Sequence, residues 1–590
     1  MALERVQDKE QKKRFKLLIT FGSILFGIIV LRLFYIQILS YTKYKSLAQS
    51  NSTRVVLKRA ARGIIYDRYG EKLADSVPSF TVSIIPADLK DSEKVIALLA
   101  KILKIPEEEI IQKIEKQKNK VYEAIKIKGN LKAQIVSVIE ENKTELSGVI
   151  IHAEAKRNYL YKETAAHVIG YVGEVSLNDV NKGKVYVGDT VGRAGVEKKF
   201  DAELRGVNGA MKIMVNSSGK EIKSLGEDPF VKGEDIVLTL DLRLQKLCEE
   251  YFKGRRGVVV CMNPKDGEIY ALVSKPSFDP NIFCDHLDKE EWSRMLYDPE
   301  QPFLNRAVSG LYSPGSVFKI VPAAAALEKK KLTKEDIFVC RGTYHYGKDW
   351  TYDCWKLEGH GVLTMVDAIS QSCDVFFYQL ALTVTADKIS EYARLFGYGA
   401  LTGIDLDGEK AGLVPTPVWK KDKYGIHWFP GNTIQYSIGQ GYITANPLQI
   451  LSSYDIIINN GISYKPRLVK KIGEKEFKKE MLRSCPISAE TLDLVKKGLW
   501  KAVNSGGTGS RAKSAYAIAG KTATVENPHG LSHAAFVGYA PFVNPEVSVL
   551  VFIEGGGSGG ENAAPIGKAV IESYFKLKKE RYALTRTTEH

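Results

Sequence analysis

Ser316-Val317-Phe318-Lys319 sets a hydroxyl and an amine three residues apart where a helical pattern begins, so both project from one face, one turn apart. A lysine so placed can take the serine's proton and turn the hydroxyl into a nucleophile. The spacing alone decides nothing, because Ser40/Lys43, Ser217/Lys220 and Ser510/Lys513 repeat it. Ser316 differs in context. It follows a Ser-Pro-Gly turn, 313–315, and precedes an apolar, alanine-rich run, 320–327, that reads as a buried helix. Two further motifs follow it in order, Ser372-Cys373-Asp374 and Lys521-Thr522-Ala523. A lone Ser-x-Asp is usually a helix cap and a lone Lys-Thr a surface pair. Occurring together and in this order, the three are expected to form one site built around an activated serine. His529 and His533 lie just beyond the third motif, but no G-x-S-x-G elbow precedes them, so they read as loop or core histidines.

Cys340, Cys354, His360 and Cys373 form a second candidate site, spaced C-x13-C-x5-H-x12-C. Three thiols and an imidazole are a tetrahedral zinc set, although the spacing is looser than a zinc finger. A disulfide between two of the cysteines and simple burial are the alternatives. The chain has seven cysteines, an odd number and too few for a disulfide scaffold.

The elements that must carry these residues are legible in part. Residues 62–74 read as a hairpin around Asp67-Arg68-Tyr69-Gly70, and 88–147 as a lysine- and glutamate-rich helical head. Strand signals return at 149–161, and Gly192-Arg193-Ala194-Gly195-Val196-Glu197 opens a helix ending near Gly206. A charged turn at 231–235 marks a domain boundary. Beyond it come two strands around the turn at 263–267, helices through the middle third, and strands near 517–522, 534–540 and 547–554. Residues 555–560 read as a flexible glycine loop before a last helix. Strands, helices and strands again give an α/β (α+β) class with a central sheet flanked by helices.

At 590 residues the chain is too long for one core. The net charge of +15 is most concentrated at Arg5, Lys9, Lys12, Lys13, Arg14 and Lys16, directly before an apolar run at 17–39 that is long enough to span a bilayer. No small-residue cleavage site follows it, so the span is expected to be retained, with the N-terminus cytoplasmic and everything beyond Ser40 outside. The remaining basic residues are dispersed, and no nucleic-acid motif accompanies them. The expected organisation is a cytoplasmic tail at 1–16, a transmembrane helix at 17–39, a pedestal at 40–230 with its head inserted at about 88–147, and a catalytic domain at 231–590.

In these motifs the sequence resembles a class B penicillin-binding protein, a membrane-anchored peptidoglycan D,D-transpeptidase. The resemblance extends over nearly the whole chain, through residues 62–74, 192–197, 238–241, 437–441 (Ser-Ile-Gly-Gln-Gly), 506–509 and 533–541. Asp374, where most of the family has asparagine, makes it similar to the elongation-type proteins called penicillin-binding protein 2. Ala523 replaces the usual glycine, and its β-carbon is expected to crowd a substrate backbone adding beside the strand.

The resemblance implies the following roles. Ser316 attacks the carbonyl between the terminal D-alanines of a stem peptide, and Lys319, held neutral, is its base. Ser372 relays a proton to the leaving nitrogen, and Asp374 orients the lysine or the substrate amide. Lys521 and Thr522 bind the terminal carboxylate, with Ala523 and Thr524 in the same substrate and oxyanion region, where the N–H groups of Ser316 and Thr524 form the oxyanion hole. β-Lactams acylate Ser316. No cofactor is needed for the chemistry, while elongation-type relatives can carry a structural zinc matching His360 and Cys373. Implied partners are peptidoglycan stem peptides, a membrane glycosyltransferase of the RodA type and other elongation-complex proteins. A bifunctional polymerase-transpeptidase would need a glycosyltransferase domain where 40–231 holds pedestal signatures instead, and a penicillin-sensing receptor would not need residues 62–74. A non-catalytic scaffold for the membrane polymerase differs in whether Ser316 reacts with penicillin.

Overall fold

The computed structural model describes residues 2–44, 53–117, 121, 124–175, 179, 185, 189–215, 221–284 and 289–588. The chain opens with the helix Ala2–Phe34, extended by one wide turn, Tyr35–Leu39. Within it Lys12–Leu39 is 28 residues long and none of its apolar window is buried in protein. A helix apolar on every side and left unburied by the described residues fits a single-pass membrane anchor.

By its internal contacts the chain divides into two compact units. The first comprises residues 1–60, 79–154 and 207–231. Thr53–Lys58, Gly209–Val215 and Glu221–Asp228 form a three-stranded antiparallel sheet within it. In its head, helices Ser92–Leu103, Glu107–Glu115 and Ala133–Glu141 bury Val95, Leu99, Ile110 and Ile139 in one core. The all-helical expectation for 88–147 needs correction, because Ile125–Leu131 is a strand. Its Ile-Lys-Ile-Lys start alternates with period two, burying Ile125 and Ile127 and exposing Lys126.

The second unit comprises residues 61–78, 155–206 and 232–590. The hairpin forms as expected: Ile65 and Tyr66 pair antiparallel with Ala74 and Lys72, and the Asp67 carboxylate accepts the turn's N–H groups of Tyr69 at 2.8 Å and Glu71 at 2.9 Å. Nearby, Glu197 has no exposed surface and accepts Arg62 Nε at 2.5 Å and Arg157 Nε at 2.6 Å. Burial alone would push its carboxyl up, but the two guanidiniums hold it below the usual carboxylate range. The helix read through 192–206 is broken into Gly195–Lys199 and Asp201–Arg205.

The remainder of this unit is built on a five-stranded antiparallel sheet. Its strands are β1 (Gly257–Met262), β2 (Ile269–Lys275), β3 (Ala519–Val525), β4 (His533–Ala540) and β5 (Val547–Ile553), in the spatial order β2-β1-β5-β4-β3. Alternate residues feed two cores. Val258, Val260 and Met262 pack with helices α1 (Ile320–Glu328) and α2 (Asp374–Val384), and Val259 and Cys261 pack with α3 (Ala564–Thr588) on the other face. The sheet is therefore flanked by helices on both faces, and β3 lies at its edge. The middle third is not wholly helical: Phe338–Cys340 pairs with Gly361–Leu363, and Thr343–Tyr346 with Trp350–Asp353, forming a small arm. Strands of three or four residues are too short to declare a period. Residues 559–563 are likewise a wide helical turn rather than loop.

Glu197→Gln keeps the volume and removes the charge that two buried guanidiniums share. Breaking such a cluster costs about 3–5 kcal/mol. Denaturant unfolding should show a loss of that order, and a loss below about 1 kcal/mol would mean that the cluster is not what braces this region.

Candidate active site

The nucleophile turn is shaped by two glycines. Ser316 lies in the short 3-10 turn Gly315–Lys319 that leads into α1, and it is half-buried. Gly315 has φ +59°, and a Cβ there would come within 2.7 Å of Val525 Cγ2, so only glycine lets the turn lie against β3. Gly315 N–H donates to Gly439 O at 2.9 Å, and a Cβ on Gly439 would sit 2.2 Å from Gly315 O. The backbone of Tyr312 pairs with Ala445 through bonds of 3.0 and 2.9 Å. The Ser-Ile-Gly-Gln-Gly segment is thus the bed on which the serine turn rests.

Lys319 has no exposed surface. Its Nζ donates to Asp374 Oδ1 at 2.7 Å, to the Ser372 carbonyl at 2.8 Å and lies 3.4 Å from Ser372 Oγ. Ser372 reaches this position because it takes a left-handed conformation, φ +55°, between the helix Met365–Gln371 and α2. Lys521 is buried on the edge strand, with Nζ donating to Thr522 O at 2.9 Å. Burial and the nearby Lys319 push its ammonium well below the usual lysine range, against the pull of Asp374. Thr522 Oγ1 hydrogen-bonds Thr508 Oγ1 at 2.7 Å, which ties the edge strand to residues 506–509. Thr524 is exposed, and its Oγ1 accepts Gly559 N–H at 3.3 Å. Ala523 is only 2% exposed, its methyl in the core shared with α1, so it fills space under the strand rather than along the open edge. Buried amines, a carboxylate, hydroxyls and the rim strand of the sheet converge here, a set able to activate a serine and hold an anionic peptide terminus.

The other serine-lysine pairs do not share these partners. Ser40 and Lys43 follow the apolar helix, Ser510 begins a separate 3-10 turn, and Ser217/Lys220 fall outside the described residues. His533 opens β4, and its Nδ1 accepts Gly555 N–H at 3.0 Å.

Cys340, Cys354, His360 and Cys373 bring one ligand atom each to within 4.8 Å of one another. His360 Nδ1 lies 3.6 Å from Cys340 Sγ and 3.5 Å from Cys354 Sγ. Zinc bonds of about 2.0–2.3 Å require tetrahedral edges of roughly 3.5–3.8 Å, which the two histidine–thiol separations meet, while the set as a whole lies within 4.8 Å. Cys340, Cys354 and Cys373 are not joined by a disulfide. The S–H of Cys373 donates to Cys354 and holds that thiol below its usual range. Cys373 also accepts Phe376 N–H at 3.4 Å as the cap of α2, so the cluster is fastened to the turn carrying Ser372 and Asp374. Sequence reasoning did not find Trp355, whose N–H donates to Asp374 Oδ2 at 3.2 Å, nor Tyr312, whose hydroxyl donates to Glu554 at 2.5 Å. Main-chain donors carry no sequence signal, and Tyr312 meets Glu554 across 242 residues.

Residues 257–572 match the family model described as penicillin binding protein transpeptidase domain, and residues 57–238 that of the penicillin-binding protein dimerisation domain. The chain belongs to the penicillin-binding proteins. Peptidoglycan D,D-transpeptidase MrdA of Haemophilus influenzae is 33% identical to this penicillin-binding protein, over 98% of the chain and 94% of the relative. Among solved structures, the complex between penicillin-binding protein 2 and MreC from Helicobacter pylori matches with a TM-score of 0.80 and 28% identity, over 88% of this chain and 99% of that one. A chain from a peptidoglycan synthase complex that coordinates polymerization and crosslinking matches with a TM-score of 0.73 and 29% identity, over 96% and 98%.

Proposed function

We propose that the penicillin-binding protein is an elongation-type peptidoglycan D,D-transpeptidase whose acyl-enzyme forms on Ser316. The observation that carries the reading is the convergence of three motifs around one buried amine: Lys319 of the first hydrogen-bonds Ser372 and Asp374 of the second, and the turn that carries it packs against β3, which carries Lys521 of the third. Ser316 Oγ attacks the carbonyl between the terminal D-alanines while Lys319 takes its proton, a proton that Asp374 is positioned to stabilise. The C–N bond breaks, and D-alanine leaves with a proton relayed through Ser372. Lys521 and Thr522 hold the substrate carboxylate, and N–H groups of Ser316 and Thr524 receive the oxyanion. An amine of a second stem peptide then takes the acyl group and frees Ser316.

The proposed organisation follows the expected boundaries, with a tail at 1–16, a span at 17–39, a pedestal at 40–230 and a catalytic domain from 231. The basic residues before the span support a cytoplasmic N-terminus and an extracytoplasmic catalytic domain. A RodA-type polymerase and an MreC-type protein are the proposed partners, in elongation and rod shape. The MrdA relative, the solved MreC complex and the synthase complex support this assignment. Cys340, Cys354, His360 and Cys373 would hold one zinc, a structural ion with no open position for chemistry.

Penicillin should form one covalent adduct, at Ser316. Mass spectrometry should find none on Ser316→Ala, and Lys319→Arg should be nearly unreactive because a guanidinium does not accept a proton at neutral pH. An adduct elsewhere, or a reactive Lys319→Arg, would sink the assignment.

The depressed Lys521 makes a second prediction. Its charge is lost as pH rises through the lowered range, so non-covalent affinity for carboxylate ligands should fall there. A bound carboxylate restores the charge, so binding should take up protons. Calorimetry in two buffers of different ionisation enthalpy reads this directly, and identical heats would contradict it.

Protein purified without added metal should contain one zinc. Removing it, or Cys354→Ser, should lower the melting temperature and slow acylation together, whereas Cys485→Ser should change neither. A mapped disulfide among the three cysteines, with no zinc found, would overturn the site.

A further inference from the structure

The arm spanning Phe338 to Leu363 reaches the active site through Trp355, which none of the three motifs contains. Two hydrogen bonds pin this residue. Its main-chain N–H donates to Asp374 Oδ2 at 3.2 Å, and its indole Nε1 donates to the Gln371 carbonyl at 3.0 Å, immediately before Ser372. The ring also meets His360 edge-on, with centroids 5.2 Å apart. Despite these three contacts Trp355 remains 56% exposed.

A surface tryptophan does not need such fixing to stay folded. A large apolar ring that is held rigid, yet left open to water beside polar reacting groups, has the properties of a ligand wall. Rigidity lowers the entropy lost on contact, and exposure leaves apolar area still to be buried. The same residue completes the hydrogen bonding of the catalytic carboxylate, since Asp374 gives Oδ1 to Lys319 and Oδ2 to Trp355. One wall of the site and the orientation of Asp374 are therefore set together.

We propose that Trp355 is a specificity-determining residue, its indole packing against the acyl-donor peptide on the side of the residue preceding D-alanyl-D-alanine, while its N–H positions Asp374. The proposal rests on the reading of Ser316 as the acylated serine. In a β-lactam, the group that occupies this place is the acylamino side chain, which gives a test within one ligand class.

Acylation of the full-length protein in detergent would be followed to saturation with benzylpenicillin, which carries an aromatic acylamino group, and with 6-aminopenicillanic acid, which lacks it. Trp355→Ala should weaken the non-covalent step for benzylpenicillin about tenfold and for 6-aminopenicillanic acid by no more than about twofold, the area buried on one ring face being what is lost. The maximal acylation rate should stay within about threefold, because alanine keeps the N–H to Asp374. Trp355→Phe should recover most of the benzylpenicillin affinity, and Trp350→Ala, removing an exposed tryptophan elsewhere on the arm, should change nothing. An equal loss for both ligands, or a fall in maximal rate tracking a fall in melting temperature, would show a purely structural staple and overturn the proposal, as would no change at all. Failure of the unsubstituted protein to acylate would remove the parent reading instead, a result separable from any effect of Trp355.

Discussion

The hydrogen-bonded pair of Lys319 Nζ and Asp374 Oδ1, 2.7 Å apart with the lysine wholly buried, sets the terms for everything around it. Removing an amine and a carboxylate from water costs several kcal/mol per ion unless further hydrogen bonds complete both groups. Here the Ser372 carbonyl and the Trp355 N–H do so. Each requires its own architecture: a left-handed residue between two helices for the first, and an arm folded back over α2 for the second. Lys521 adds a second buried amine, whose charge burial and the neighbouring Lys319 disfavour until an anion arrives. Such a pocket is complementary to one more carboxylate, which is what a peptide terminus supplies.

The parts legible in the sequence are those whose signal is local. Ser316/Lys319 announce themselves through spacing and an alanine-rich helix, β1 and β2 through a turn between apolar runs, and the apolar N-terminal helix through its length and composition. What was missed depends on pairings distant in sequence or on the main chain. The strand Ile125–Leu131 was absorbed into a helical reading because its charged composition outweighed a four-residue alternation. The bed provided by Gly439 was seen only as a family match, since its purpose, accommodating the Gly315 carbonyl at close range, exists only after folding. That Ala523 turns its methyl into the core was hidden for a similar reason, since on an edge strand the side chains point to the faces while the backbone lines the edge.

The arm joins two chemistries that the sequence presents as separate. Cys354 and Trp355 are adjacent, so the residue that would bind metal and the residue that touches Asp374 cannot move independently. Cys373 repeats this coupling from the other side, lying between Ser372 and Asp374. Order in the sulfur cluster is in this way order in the catalytic turn, with no long path needed to transmit it.

The position of β3 at the rim of the sheet carries a liability of its own. A strand kept accessible for a ligand also offers its backbone to any other extended chain, the usual starting point for edge-to-edge self-association. Internal devices such as a bulge or a mid-strand proline would spoil the recognition surface. The protection lies just outside instead. β3 is only seven residues long, and Glu526 and Pro528 follow it at once, a charge and an imino acid that stop a foreign strand from extending the pairing. At the opposite rim, β2 ends at Lys275 and is followed directly by Pro276. The rim strand is therefore of a length suited to pairing with a short peptide and is stopped short of a polymerising one.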